Sequence, residues 1–420
     1  MRIAVLGGGV SGITTALLLQ TCGYDTTVVT AARADAPAGA DWPRLASHYP
    51  AASVIPHTVQ IRHPARHTRW SQACFDVFVD APGWGVRTQR HAELFEQPPE
   101  PPAYLGALRA LSHLPDDGRG APGLPRRSEA AALFGWTFNM TFVDAPRYLR
   151  QLYRCYTQIG GTVQRMRLTP ETRSHAPGDV WINCLGAGAP HVFPDRAPAS
   201  FLHGHLLHVN APVAASGWSA PVQSYNYAPA PSCYPSHQEG EPGGLYFYPR
   251  SKTWVIGGTK HPARRSGGYT TPLRGPTRHV NGVALPEAMW TTNASLIQQL
   301  TGVDFRTAPL RVVSGLRYLR DPHHEGVRLE WDADPERPTF HNYGHGGAGV
   351  TLSWSCALHV LHALRTRKAL TGPPAHARSN ASDHTARLRA LHHTARHLLD
   401  TAPASLSDSM QDSMPGSVPD

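Results

Sequence analysis

The first thirty residues place the strongest constraint on what this chain can fold into. "RIAVLG" is a short apolar run of strand composition, and "GGGVSG" overlaps its end without a break. Ile13, Ala16, Leu17 and Leu18 then recur near helical spacing from Val10 to Thr21, Gly23 stops the helix, and "DTTVVT" reads as a second strand. Strand, glycine turn, helix and strand make one βαβ unit. In that setting Gly7 permits the tight turn, Gly9 lets a pyrophosphate approach the backbone, and Gly12 lets helix and strand pack closely. The diphosphate belongs at the helix N-terminus, against unpaired N–H groups, with Val10 and Ser11 at the turn. A tight turn without a ligand is the plainer alternative; the βαβ context favours the dinucleotide.

Which dinucleotide is the next question. An acid commonly ends the second strand and binds a ribose hydroxyl. Here that region reads "VVTAARADA", with no acid at the strand end and Arg33 as the nearest polar group. The glycine motif alone fits FAD and a nicotinamide cofactor equally. A βαβ unit whose sheet is completed by segments much later in the chain favours FAD.

At 420 residues the chain is long enough for two domains and a large core. Its net charge of +9 is dispersed, without blocks of like charge, and no nucleic-acid-binding signature or zinc spacing accompanies it. The expectation is therefore no nucleic-acid partner. No apolar run reaches membrane-spanning length, so no membrane partner is expected either. The six cysteines form no CxxC pair, which reads as reduced thiols, no metal, and a cytoplasmic protein.

Further along, residues 61 to 140 are proline-rich and mixed. "DAPRYLRQLYRCYTQIGG" is a helix with Asp144 as N-cap, Pro146 in the first turn and a glycine pair at its end. "TVQRMRL" and "DVWINC" are strands, and β-type runs dominate 200 to 300 apart from the helix "PEAMWTTNASLIQQL". "GVRLEWD" and "PTFHNYG" read as strands, followed by a glycine-rich run and a helix from about Val350 to Leu364. After 367 the chain reads as linker, basic helix ("HTARLRALHHTARHLL") and polar tail.

Taken in order, "VLGGGVSGITTALLL", "ASHYPAASVIPHT", "FVDAPRYLRQLYRCYTQIGGTVQR", "VWINCLGAGA", "YFYPRSKTWVIGGT", "GLRYLR…GVRLE" and "HNYGHGGAGVTLSWSCALHV" resemble the landmarks of the D-amino acid oxidase family. The resemblance runs from residue 2 to about 366. It implies an α/β fold: a Rossmann-like FAD-binding domain interleaved with a mixed β-sheet substrate-binding domain. The implied division is 1–60, 140–197 and 308–366 for FAD, and 61–139 with 198–307 for substrate. Residues 367–420 are extra.

The resemblance also implies roles. Gly346, Gly347, Ala348, Gly349, Val350 and Thr351 would line FAD, together with Gly7, Gly9, Val10, Ser11, Gly12, Arg33, Ser47 and Gly186. Glycines suit a loop whose N–H groups must approach the cofactor closely. Arg317 would grip the substrate carboxylate with two parallel hydrogen bonds, Tyr246 would add a third, and the Gly347 carbonyl would take the amine. The small-molecule partners are a D-amino acid and O2, with a homodimer compatible. The implied reaction yields a 2-oxo acid, ammonia and H2O2.

"VIPHT" with His57, and "GGTK" with Lys260, look more like the D-aspartate oxidase branch, where a second cation would pair an acidic side chain. A lysine at a strand end also fits plain solvent exposure. Several features depart from the family pattern. "RYLRDPHHEGVRLE" is longer than usual, His205 stands where glutamine is common, and Tyr225, Tyr227 and Tyr234 lie in a segment that can serve as a lid. These departures motivate the alternative of a related flavin amine oxidase tailoring a larger amino acid or amine in specialised biosynthesis.

Overall fold

Ile3 through Leu6 are buried to the last atom or nearly so, because strand Arg2–Leu6 sits in the middle of a sheet covered on both faces. The computed structural model describes residues 1–36, 45–48, 52–57, 59–210, 223–235, 243–250, 253–266, 268–321, 323, 326–332, 337–367 and 383–402. Among these, the first sheet has six strands in the order Arg328–Trp331, Thr339–Tyr343, Val180–Asn183, Arg2–Leu6, Asp25–Thr30 and Thr162–Arg165. All neighbours are parallel except the first pair. Strands from the start, middle and end of the sequence thus share one sheet, as expected for a cofactor domain assembled late in the chain.

Helices Val10–Thr21, Ala145–Gln158 and Gly349–Thr366 cover this sheet. The last is apolar almost all round and buries fourteen residues, the mark of a helix enclosed on every side. Its Trp354 stacks on Phe78 and donates to the Tyr148 hydroxyl at 2.7 Å. Trp70, Cys74 and Phe75 of helix Pro64–Asp76 join the same core. The expected division gave 61–139 to the substrate domain, yet this helix packs with the cofactor-side elements. The basic C-terminal helix Asp383–Asp400 docks there too. Its Leu388, Leu391, Ala395 and Leu399 are buried in that core, and Arg387 donates to the Val77 carbonyl at 3.1 Å.

The second sheet has nine strands. Ala199–Asn210 is its long organiser, pairing Leu310–Arg320 along one edge and both His261–Ala263 and Thr253–Gly257 along the other. From Thr253–Gly257 the order runs through Leu245–Pro249, Ser224–Ala228, Val86–Phe95, Phe134–Val143 and Arg109–His113. Leu310–Arg320 was expected with the cofactor segment 308–366; its pairing places it in the substrate-side sheet instead. Helix Glu287–Thr301 covers one face through Met289, Leu296 and Ile297, against Tyr225, Phe247 and Trp254. Side chains alternate along a strand, so Asn226 and Tyr246, one residue on from Tyr225 and one before Phe247, point to the opposite face.

Tyr225 and Tyr234 also belong to the packed core: Tyr225 donates to Asn293 at 3.0 Å and Tyr234 to the Gly258 carbonyl at 2.7 Å. Tyr227 is tied to Glu96 at 2.8 Å. The three tyrosines are framework here, and residues 236–242 of the expected lid segment lie outside the described residues, as do 368–382 and 403–420.

Candidate active site

The glycine turn has the close approaches that its sequence predicts. Gly7 holds φ of +117°, and a Cβ there would strike the Cys184 carbonyl. A Cβ on Gly12 would collide with the Gly7 carbonyl, a backbone atom that cannot swing away. Gly9 caps helix Val10–Thr21, and a Cβ there would lie 3.3 Å from Ser47 Oγ, tight but bearable. Ser47 accepts the Val10 N–H at 2.9 Å, so that amide is already engaged by protein. Gly186, at φ +56°, opens the short helix Gly186–His191 just beyond Cys184, against the same turn.

Arg33 is held differently from the expectation. It makes a two-pronged pair with Asp35, at 2.9 and 2.7 Å, and lies 4.6 Å over the Tyr153 ring. Tyr153 in turn donates to the Gly8 carbonyl at 2.7 Å. The acid missing from the strand end is thus present five residues later, tying down the arginine beside the turn.

The C-terminal glycine run meets this turn directly. Ser11 Oγ is 3.3 Å from His345 Nδ1, His345 Nε2 is 3.0 Å from Asn342 Oδ1, and Asn342 donates to Thr15 at 3.2 Å. Burial pushes the His345 imidazole down to about 4, so it is a neutral link in this chain. Gly346 has φ +53°, and Ala348 caps helix Gly349–Thr366. The N-termini of two long helices therefore meet across Gly349 and Val10, which a Cβ at Gly349 would contact at an ordinary 3.8 Å. Two helix N-termini and a glycine cradle that side chains would fill suit an anionic dinucleotide. Thr351 lines the neighbouring cavity, but its hydroxyl is spent on the Ser53 and Ile55 carbonyls at 2.9 and 3.1 Å. Ala348 is buried among Val327, Leu352 and Cys356.

A cavity of about 460 Å³ lies between this junction and the exposed face of the second sheet. It brings together Val10, Ser47, His57, Tyr246, Lys260, Arg317, Gly346, Gly347, Gly349, Val350 and Thr351 of the expected site. Two glycines that sequence reasoning did not single out shape it. A Cβ on Gly204 would overlap the Arg317 guanidinium, and one on Gly257 would overlap the Tyr246 ring. Both heads lie down over missing side chains of neighbouring strands. Arg317 Nη1 donates to the Thr259 carbonyl at 3.1 Å. Thr259 Oγ1 accepts from the His205 amide at 2.6 Å, and His205, pushed down to about 3 by burial and nearby cations, adds no charge. Among the described residues Arg317 has no carboxylate partner. Burial pushes the Tyr246 hydroxyl up, and the Arg317 charge pulls it partway back.

Within the longer "RYLRDPHHEGVRLE" segment, residues 322, 324 and 325 lie outside the described residues. The strand stays in register with Ala199–Asn210 through Arg320, which pairs with buried Asp195 at 2.9 and 3.0 Å. Tyr343 donates to the same Asp195 at 2.6 Å.

The far wall holds charges with no local signal in the sequence. Glu93 is 6% exposed at the side chain, and its Oε1 takes His57 Nε2 at 2.9 Å, Asn226 Nδ2 at 2.8 Å and His91 Nε2 at 3.3 Å. Burial raises the Glu93 carboxyl, but His57 and His91 outweigh it and hold it well below the usual carboxylate range. His57, expected with Lys260 near the substrate side chain, is thus held against the Glu93 carboxylate.

The glycine cradle, paired helix N-termini and flanking substrate-sized cavity define a dinucleotide-dependent oxidoreductase. The chain matches the family model described as FAD dependent oxidoreductase over residues 2–363, and it belongs to that family. FAD is its cofactor. Among curated proteins it is 28% identical to a D-amino-acid oxidase of Rubrobacter xylanophilus over 373 residues, covering 85% of this chain and 93% of the relative. It is 25% identical to the human D-aspartate oxidase over 400 residues, 87% and 97% of the two chains. Among solved structures, glycine oxidase from Geobacillus kaustophilus superposes with a TM-score of 0.58 at 16% identity, covering 91% of this chain and all of that one. The FAD-bound L-alpha-glycerophosphate oxidase of Mycoplasma pneumoniae reaches 0.60 at 12% identity, over 91% and 98%. These two likenesses establish the fold. No described helix is long and apolar enough to cross a membrane.

Proposed function

We propose that this chain oxidatively deaminates a D-amino acid to the 2-oxo acid and ammonia, with O2 reduced to H2O2. The carrying observation is that Arg317, without a carboxylate partner among the described residues, lies beside Tyr246 in the cavity that Gly346, Gly347 and Gly349 also line. A planar, permanently charged guanidinium beside a neutral hydroxyl suits an α-carboxylate. Its bond to the Thr259 carbonyl supports one position for that carboxylate, and the Gly347 carbonyl is the acceptor proposed for the amine. Bound FAD supplies the two-electron acceptor and passes the electrons to O2. The protein's own part is orientation: two anchors and the glycine run define three points, which only one enantiomer satisfies with its α-hydrogen toward the cofactor. The imine formed hydrolyses to the oxo acid.

A second reading has Lys260 pairing the side-chain carboxylate of D-Asp or D-Glu. Lys260 lining the same cavity supports it, as does the likeness to a D-aspartate oxidase. The six cysteines form no disulfide among the described residues, which suits a reducing, cytoplasmic setting. The test is to add single D- and L-amino acids to the FAD-loaded protein without oxygen and follow flavin absorbance. Bleaching by D-forms alone is expected. A flavin that no free amino acid bleaches would refute the proposal and leave a larger tailored amine as the substrate class.

A further inference from the structure

The cavity is electrically two-ended. Arg317 and Lys260 stand toward the Leu310–Arg320 edge of the second sheet, and Glu93 and Glu100 line the wall contributed by Val86–Phe95 and the residues after it. Pairing register links the two ends. Glu93 is opposite Asn226, and Asn226 is opposite Tyr246, so the three side chains point to one face of the sheet. Glu93 is thus two strands from Tyr246, the second proposed contact of the carboxylate, roughly 10 Å between backbones.

Glu93 is no ordinary structural carboxylate. Glu96, three residues later, is closed off by Arg127 through both of its oxygens, at 2.9 Å each, and by Tyr227 and the Ala230 amide. On Glu93 every contact falls on Oε1; among the described residues Oε2 has no partner. Nor is Oε2 one of the enclosed, unpartnered atoms, so it opens on the cavity that Glu93 lines. The surrounding groups fix this arrangement. Burial keeps the Tyr248 hydroxyl protonated; it donates to Asn226 Oδ1 at 2.6 Å, which turns the Asn226 amine to Glu93. Tyr104 braces the other side of the His57 ring at 3.4 Å. A nearly buried carboxylate with one open oxygen is costly alone and is completed best by a charged N–H donor.

We propose that Glu93, positioned by His57 and Asn226, reads the substrate side chain and selects one ending in an ammonium or guanidinium group. This rests on the D-amino acid reading above and names its substrate class. D-Arg or D-Lys places its carboxylate on Arg317 and Tyr246 and its distal cation on Oε2. D-Glu and D-Asp instead bring a second carboxylate toward Glu93.

Binding tests this apart from turnover. The FAD-loaded protein is titrated with 5-aminopentanoate, pentanoate and glutarate, none of which has an α-amine, and the flavin absorbance shift is read. The ammonium compound is expected to bind at least about 10-fold tighter than glutarate, and Glu93→Gln to erase that margin while leaving pentanoate within about threefold. In turnover, D-Arg or D-Lys exceeds D-Asp in kcat/KM by at least about 10-fold, and Glu93→Gln lowers it through KM while D-Met stays within about threefold. Should the variant not fold, the wild-type panel decides by itself. Tighter glutarate, a best substrate of D-Asp, or an equal loss across all substrates overturns the proposal. Bleaching by D-Met without any preference for cations refutes the subsite alone, whereas bleaching by no D-amino acid refutes the reading beneath it.

Discussion

Replacing Gly204 by Ala tests whether the substrate anchor depends on a missing side chain. The new Cβ would lie 2.7 Å from both Cζ and Nη2 of Arg317 and closer still to Nη1, all inside contact range. The atoms struck belong to the mobile end of a long side chain, so the strand keeps its place and the guanidinium moves. The stability cost is then about 1 kcal/mol or less. The functional cost is larger, because a displaced guanidinium gives up at least one of its two bonds to the carboxylate. A hydrogen bond to a charged group contributes about 1.5–3 kcal/mol, which corresponds to roughly 10- to 150-fold in kcat/KM. Since the carboxylate is held before and during the reaction, the loss should fall mainly on KM. The assay is steady-state H2O2 production, with thermal unfolding of the FAD-loaded protein as control. A Gly204→Ala enzyme with KM within about twofold of wild type would refute the assignment of Arg317 as anchor.

Other outcomes follow from the same geometry. Gly12→Ala sets a Cβ against the Gly7 carbonyl, and the protein should purify without flavin, read as the ratio of visible to ultraviolet absorbance. Asp195 is lowered to about 2 in the folded protein, because Arg320 and Tyr343 outweigh the burial that opposes its charge. Its folded pKa lies below its unfolded value near 3.9, so about 2–3 kcal/mol of stability is present at neutral pH. That stability is lost as pH falls from about 4 to 2, and Asp195→Asn should flatten this part of the acid unfolding curve. Leu391→Ala empties a fully buried site where the C-terminal helix meets the core, and should lower unfolding free energy by about 2–5 kcal/mol in urea titrations.

What could be read in advance followed from local chemistry. Helix Val10–Thr21 and the turn before it were legible because periodicity, glycine spacing and position all pointed one way. Arg317 and Tyr246 were legible only through resemblance, since an arginine and a tyrosine in strands carry no local signal of convergence. Helix Pro64–Asp76 was missed because Pro64, His67 and the arginines around them mask a stripe of Trp70, Cys74 and Phe75. Gly204, Gly257 and Glu93 were invisible for another reason. Their roles lie in pairing between strands: Gly204 opposite Gly315 and Glu93 opposite Asn226 join strands distant in sequence, and Gly257 meets Tyr246 across a hairpin. The basic helix after residue 382 read as either packed on the body or solvated; its docked leucines show the packed arrangement.

The bridge from Ser11 through His345 and Asn342 to Thr15 also bears on biogenesis. It joins residues 334 apart, so the two halves of the cradle for the diphosphate are synthesised far apart in time. A nascent chain carries the first βαβ turn for some time with the opposing helix N-terminus still unmade. Such long-range closure slows folding and exposes apolar strands meanwhile. Closing the cradle is thereby coupled to folding of the Gly349–Thr366 helix, so flavin capture is expected only once that helix has formed.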